Sequence, residues 1–331
     1  MKDHEGVPAT EGGGFESGDG RRFVMKCFAV VIAVVMVPAM VWGQAAPATR
    51  SREIVAALPV IPGRDFSVKD FGAVGDGKAM ETEAFRKGVA AVEKAGGGRL
   101  VVPAGVYKTL PFRVVSHMDL HLEKGAIIKA PETFAAYGVA DPATAAAGTR
   151  INSGLQPLIS CATGTTDLAI TGAGTIDGSG KEFWEWSDKA ARKFPAGRVI
   201  ITRPNLVSLR GVTRLHVEGV TLTNSPMFHL VPVGEDLTIE NVTIVAPHDA
   251  PNTDAIDPGG TRIVIRHCKI DTGDDDVAVK GGARDVLIED LTCLHGHGIS
   301  IGSGTKDGLS HMIVRRCTFE GTDNGLRIKS N

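Results

Sequence analysis

A chain of 331 residues with 36 basic and 38 acidic side chains has no basic block and no basic-aromatic stripe with which to grip nucleic acid. Its 41 glycines, set among short runs of Val, Ile and Thr, point to many short strands joined by tight turns.

Residues 1–24 are polar and glycine-rich. Arg21-Arg22 and Lys26 then precede an apolar run from Cys27 to Trp42, which ends in Gly43-Gln44-Ala45-Ala46. A basic flank, a run of this length and small residues behind it predict a secretory signal peptide over 1–45, with Met25 as an alternative start. A linker is expected over 46–64. The expected location is secreted or periplasmic, with no membrane contact after cleavage.

Glu81–Ala95 places Phe85, Val89 and Val92 at i, i+4 and i+7, the spacing of an amphipathic helix. Gly96-Gly97-Gly98 stops it, and Leu100-Val101-Val102 is expected as the first strand. Beyond this point a beat sets in. Cys293 follows Cys268 by 25 residues and Cys317 follows Cys293 by 24, each closing a similar phrase: Ile263–Cys268, Val286–Cys293 and Met312–Cys317. Leu215–Val220 and Leu237–Val242 continue it upstream. A fixed period of short alternating strands predicts an all-β solenoid, a parallel β-helix over 65–331, with the helix capping its N-terminal end. The cysteines are expected to form a stack of small buried groups rather than a disulfide framework. Pro131–Arg150 and Lys181–Pro204 lack the beat. The second holds Trp184, Trp186 and Phe194, suited either to lining a groove or to local packing.

Within the beat, Ile256, Val277, Ile299 and Leu326 anchor the second strand of successive turns. Two residues before them stand Asp254, Asp275, His297 and Asn324; three before stand Thr253, Asp274, Gly296 and Asp323. Because turns stack about 4.8 Å apart, these positions form one vertical stripe. Three carboxylates crowded there repel and push at least one pKa upward, a conflict that proteins retain mainly at sites that use it. A calcium site and ordinary Asp-rich turns are the structural alternatives. Strict alternation would turn residues two before an anchor inward, so a corner must fall between them and the anchor.

Asn252-Thr253-Asp254, Gly273-Asp274-Asp275, Gly296-His297-Gly298 and Arg327-Ile328-Lys329 resemble, in order and spacing, the motifs of the polygalacturonase family of glycoside hydrolases, family 28. The resemblance runs from Phe66 to Asn331 and includes Phe71–Gly77, Gly174–Gly178 and Asn224-Ser225-Pro226. It implies a right-handed parallel β-helix that hydrolyses α-1,4 bonds of polygalacturonate with inversion. Carried over position by position, Asp274 is the general acid, Asp254 and Asp275 activate water, and His297 holds the acid's protonation state. Arg327 and Lys329 grip a substrate carboxylate, and Asn252 is counted with them. No cofactor and no metal are implied; the partner is a pectic polysaccharide and the chain a monomer. An inverting glycosidase needs one protonated carboxyl and one carboxylate, and the crowded Asp274 suits the first role. Arg327 and Lys329, two apart on a strand, can meet one uronate.

Three departures stand out. Ala255 replaces the usual glycine. Asp276, where a small residue is usual, adds a fourth acid that would disturb the site if it faced the cleft. Family members continue for several turns beyond the match to Lys329, so the chain reads as truncated at its C-terminal end. Other readings are action on rhamnogalacturonan or from chain ends, a calcium-dependent pectate lyase, and a non-catalytic carbohydrate-binding solenoid.

Overall fold

The computed structural model describes residues 53–329, except 147, 188–198 and 303, together with Met25–Lys26. Apart from Met25–Lys26, the expected signal peptide lies outside the described residues, as does the Phe194 position. Among those described, no helix is long and apolar enough to cross a membrane.

The described residues wind into a right-handed parallel β-helix with three stacked sheets, and a separate two-stranded sheet pairs Arg150–Ile151 with Ile200–Ile201. Sheet 1 stacks short strands such as Thr175–Asp177, Thr221–Thr223, Thr243–Val245, Lys269–Asp271 and Thr292–Cys293. Sheet 2 carries Gly98–Val102, Met118–Leu122, Thr166–Gly172, Val207–Glu218, Leu230–Glu240, Gly259–Arg266, Ala283–Glu289 and Leu309–Arg315. Sheet 3 includes Val277–Val279, Ile299–Gly302 and Leu326–Lys329, extended by a bridge from Val277 to Ile256 and on to Leu230.

Alternation in sheet 2 turns every second side chain into the core. Leu100, Leu120, Ile170, Val217, Ile239, Ile265 and Ile288 stack in register and are all buried. Burying each such side chain contributes about 1.5–3 kcal/mol. This continuous column, shared between neighbours, is why no single turn has to be stable alone.

The helix α1 (Thr82–Lys94) buries Phe85, Val89 and Val92 against the first turns, with the Phe85 ring 5.0 Å from that of Phe112. Gly97 donates its N–H to Val92 O and takes a φ of 119°, which ends the helix. Leu100–Val102 is not the first strand, however. Asp65–Ser67 and Asp76–Met80 precede the helix and pair with Gly98–Val102 and Gly105–Lys108. Asp76-Gly77-Lys78-Ala79-Met80 is mostly exposed and shows no apolar alternation, so pattern reading passes over it.

The cysteine beat also needs correction. Lys269 pairs with Thr292, and Thr292 with Thr318, making turns of 23 and 26 residues. Cys293 therefore stacks between Ile270 and Phe319, while Cys268 and Cys317 share their column with Leu291. The two shifts nearly cancel, which gave the even spacing. Cys268, Cys293 and Cys317 are buried and Cys161 is half-buried, and none of the four is in a disulfide.

In seven successive turns one residue at or inside the sheet 2 strand lies in the left-handed region: His117, Asp167, Arg214, Asp236, Arg262, Asp285 and His311, with φ between 52° and 62°. Acidic and basic residues alternate along the axis. Arg214 forks onto Asp167 with two bonds of 2.6 Å, Arg262 forks onto Asp236, and His311 meets Asp285 at 2.5 Å. A slip of one residue would break this ladder, so it fixes register as well as closing the corners. Residues 53–64, expected as a linker, lie along sheet 2. Ile54 and Ala56 pack on Val264, Leu287 and Ile313, and the Ala57 and Val60 amides donate to Asp236 and Asp167.

Candidate active site

The anchors line up. Leu230, Ile256, Val277, Ile299 and Leu326 are successive partners across sheet 3. The residues two before them consequently stack at the entry to that sheet, where the chain bends at Ala255, Asp276 and Gly325. Backbone bonds from Ala255 N–H to Asp275 O, His297 N–H to Asp274 O and Asp276 N–H to Gly298 O tie the three turns together. This is the corner that the polar stripe required. Tight stacking also accounts for the glycines beside His297. A Cβ at Gly298 would stand 2.1 Å from Asn324 O, and one at Gly296 would stand 2.5 Å from Asp274 O.

The side chains converge. His297 Nδ1 lies 3.1 Å from Asp274 Oδ1 and 3.6 Å from Asp275 Oδ1. Asp274 Oδ1 also accepts the Asp275 amide at 3.0 Å. Asp275 receives Ser300 Oγ at 2.8 Å, Lys329 Nζ at 2.7 Å and the Arg327 guanidinium, while Arg327 Nε also donates to Ser300 at 3.0 Å. The two cations expected to hold a substrate carboxylate thus hold Asp275. Asp254, Asp274 and Asp275 are all buried, whereas His297, Arg327 and Lys329 are half-exposed and give the cluster its open side.

Burial, followed by the charges of Asp257, Asp274 and Asp275, pushes the Asp254 carboxyl well above the usual carboxylate range. Its Oδ1 is buried and has no hydrogen-bond partner among the described residues. Asp276 points the other way. It is fully buried, accepts the Gly298 N–H at 2.8 Å, and is pushed up to about 8, chiefly by burial. The fourth acid thus faces the interior, not the cleft.

Asn252 does not join the carboxylates. It sits in a left-handed turn, and its Oδ1 accepts Arg203 Nη2 at 2.8 Å; Arg203 also binds the carbonyls of Pro226 and Pro251. Arg203 has no counterpart in the sequence reading, because no repeat position marks it. Two further groups went unread. Asp257, one after its anchor, is fully buried, with Lys280 Nζ 2.9 Å away and 5.2 Å from the Phe228 ring centroid. Burial moves Asp257 up to about 6 despite Lys280. His229 is buried and kept neutral, its pKa lowered to about 4 by desolvation. Its Nε2 accepts the Ser225 amide at 3.3 Å, which leaves Nδ1 to donate to Asp254 O at 3.2 Å. The Asn224-Ser225-Pro226 motif is thereby fastened to the backbone that presents Asp254.

Trp184, on a short helix (Lys181–Glu185), lines a 560 Å³ cleft and donates Nε1–H to Ser225 O at 2.9 Å; Trp186 packs instead in a small apolar cluster with Phe134, Phe183 and Ile201. Groove lining and local packing therefore each hold for one tryptophan.

Comparison with known proteins gives a consistent picture. A family profile described as "Glycosyl hydrolases family 28" matches residues 123–331. A "Probable polygalacturonase" of Vitis vinifera is 33% identical over 284 residues, covering 80% of this chain and 56% of the relative. A "Polygalacturonase" of Chamaecyparis obtusa is 37% identical over 279 residues, 80% of this chain and 50% of the relative. The chain thus spans about half the length of these curated relatives. Among solved structures, the hyperthermoactive exopolygalacturonase from Thermotoga maritima is similar with a TM-score of 0.68 at 29% identity, over 83% of this chain and 70% of that one. The polygalacturonase from Erwinia carotovora ssp. carotovora gives 0.67 at 29% identity, over 86% and 76%.

Proposed function

The chain belongs to the glycosyl hydrolases of family 28, and from that premise we propose that it hydrolyses α-1,4-galacturonosidic bonds of polygalacturonate in pectin by general acid/base catalysis with inversion. The observation that carries this reading is the convergence of Asp274, Asp275 and His297 with Arg327 and Lys329 in one cluster, with Asp254 near enough to feel the Asp274 and Asp275 charges. Acid and base chemistry at one carbon needs carboxyls held in different protonation states. Here Asp275 is matched by two cations and a hydroxyl, while Asp254 is buried among acids.

Asp274 is assigned as the acid that protonates the leaving oxygen, with His297 at 3.1 Å biasing its proton. Asp254 and Asp275 orient and deprotonate the attacking water. A uronate entering the cluster competes with Asp275 for Arg327 and Lys329, and drawing these cations off frees Asp275 to accept a proton from water. One observation favours a second assignment: the Asp254 carboxyl is held well above the usual carboxylate range, which suits it to carry the acid's proton. A polymer too large to enter a cell requires an exported enzyme, so a secreted or periplasmic location fits the proposed substrate.

The reading is tested by comparing free and methyl-esterified polygalacturonate with chelator present. Esterification removes the charge that Arg327 and Lys329 recognise, and is expected to lower kcat/KM by roughly tenfold or more. Chelator is expected to leave the rate on the free polymer within about twofold, because no step is assigned to a metal. Equal rates on both polymers would refute the role of the cations. A chelator-sensitive, ultraviolet-absorbing product would mark elimination in place of hydrolysis.

A further inference from the structure

We propose that His216, Glu218 and Glu240 form a binding site for a divalent transition-metal ion on sheet 2, separate from the carboxylate cluster. His216 and Glu218 are two residues apart on Val207–Glu218 and so point the same way, outward. Glu240 is the register partner of Glu218 on the next strand. His216 Nε2 lies 2.8 Å from Glu240 Oε1 and 3.7 Å from Glu218 Oε2, and the three donor atoms fall within 4.8 Å of one another.

Two ligands each about 2.1 Å from one ion, and adjacent in its coordination shell, stand roughly 3.0–3.4 Å apart. The observed separations bracket that range, so small side-chain adjustments would admit an ion. Arg266 supports the arrangement: its Nε and Nη2 both bind Glu240 Oε2 at 2.7 Å, which leaves Oε1 turned to the imidazole. One imidazole and two carboxylates suit zinc, manganese, cobalt or nickel; calcium prefers an all-oxygen shell.

The surroundings supply an independent indication. The His216 and Glu218 side chains open into a groove of about 980 Å³ between sheet 2 and the segment containing Leu58, Pro59 and Ile61, with His121 further along the wall. The Glu218 side chain is 46% exposed, so an ion can enter without unfolding. Three protein ligands leave coordination positions directed into this groove for water or a small ligand. A bound ion would also link two turns, and would stabilise the folded chain by mass action.

The test is calorimetric titration of untagged, metal-stripped full-length protein with zinc chloride, paired with thermal denaturation. Wild type is expected to bind one zinc ion per chain and to gain thermal stability. Glu218→Gln and His216→Gln are expected to weaken binding roughly tenfold or more and to lose the gain. Circular dichroism and zinc-free melting check that both variants remain folded. His297→Asn serves as the control for the carboxylate cluster. The proposal is overturned if wild type takes up no zinc, or if both groove variants bind it as wild type does. It is equally overturned if binding disappears only in His297→Asn, which would put the ion in the other site.

Discussion

Asp274→Asn is expected to lower kcat on polygalacturonate by a factor on the order of 10²–10⁴ with little change in KM. That is the range a positioned general acid supplies, and an amide of the same shape cannot supply the proton. The fold should survive. The Asp274 side chain accepts the Asp275 amide at 3.0 Å, a bond that the amide oxygen of Asn can also accept. An activated substrate separates the acid from its neighbours. An aryl galacturonide with a good leaving group needs no proton on departure, so Asp274→Asn should recover most of its activity there while Asp254→Asn should not. If the rescue belongs instead to Asp254→Asn, the raised Asp254 carboxyl is the acid and the two roles exchange. Rescue of neither, with both variants folded, would remove general acid catalysis from this pair altogether.

The second large effect concerns stability. Asp276→Asn is expected to flatten the dependence of stability on pH between about pH 4 and pH 8. The sign follows from proton counting. Folding raises this carboxyl to about 8 from an ordinary value of 3.8. Between those values the unfolded chain has released the proton and the folded chain retains it. Stability then falls as pH rises, by up to about 1.4 kcal/mol per pH unit for this one group. Asn does not titrate, so roughly 2–4 kcal/mol of the loss between about pH 4 and pH 7 should vanish. The amide can still accept the Gly298 N–H, but its NH₂ group then takes the place of Oδ1, which has no partner among the described residues. That adds a pH-independent cost of about 1–3 kcal/mol, so the slope and not the absolute stability is the diagnostic. Denaturant midpoints across this range measure it. An unchanged slope would mean that Asp276 is ionised in the folded chain.

Much of the site was legible because a solenoid turns sequence period into spatial adjacency. The anchors Ile256, Val277, Ile299 and Leu326 are consecutive partners, as their spacing predicts. Where pattern reading stopped short, the reasons are local. Alternation alone cannot place a bend, so the direction of Asp276 stayed open until the backbone showed it turning inward. Turns of unequal length, 23 and then 26 residues, moved Cys293 out of its supposed column. Asp257 and Lys280 stand one and three residues after their anchors, the same offsets as Arg327 and Lys329, so the rule used on the last turn would have found them on earlier ones. The alternating ladder of Arg214, Asp236 and Arg262 was present at much the same period, but left-handed positions filled by arginine are uncommon enough to escape a propensity argument. Arg203 lies in a segment without any beat and is placed only by the fold.

The chemistry of the cluster can be put to one direct measurement. Polygalacturonate digested with chelator present and followed by proton NMR from the first minutes reports both the bond cleaved and its stereochemistry. Hydrolysis of an α-1,4 bond with inversion predicts that new reducing ends form first as the β anomer and then mutarotate, with no signal from an unsaturated sugar. New ends appearing first as the α anomer, or an unsaturated terminus, would contradict the account.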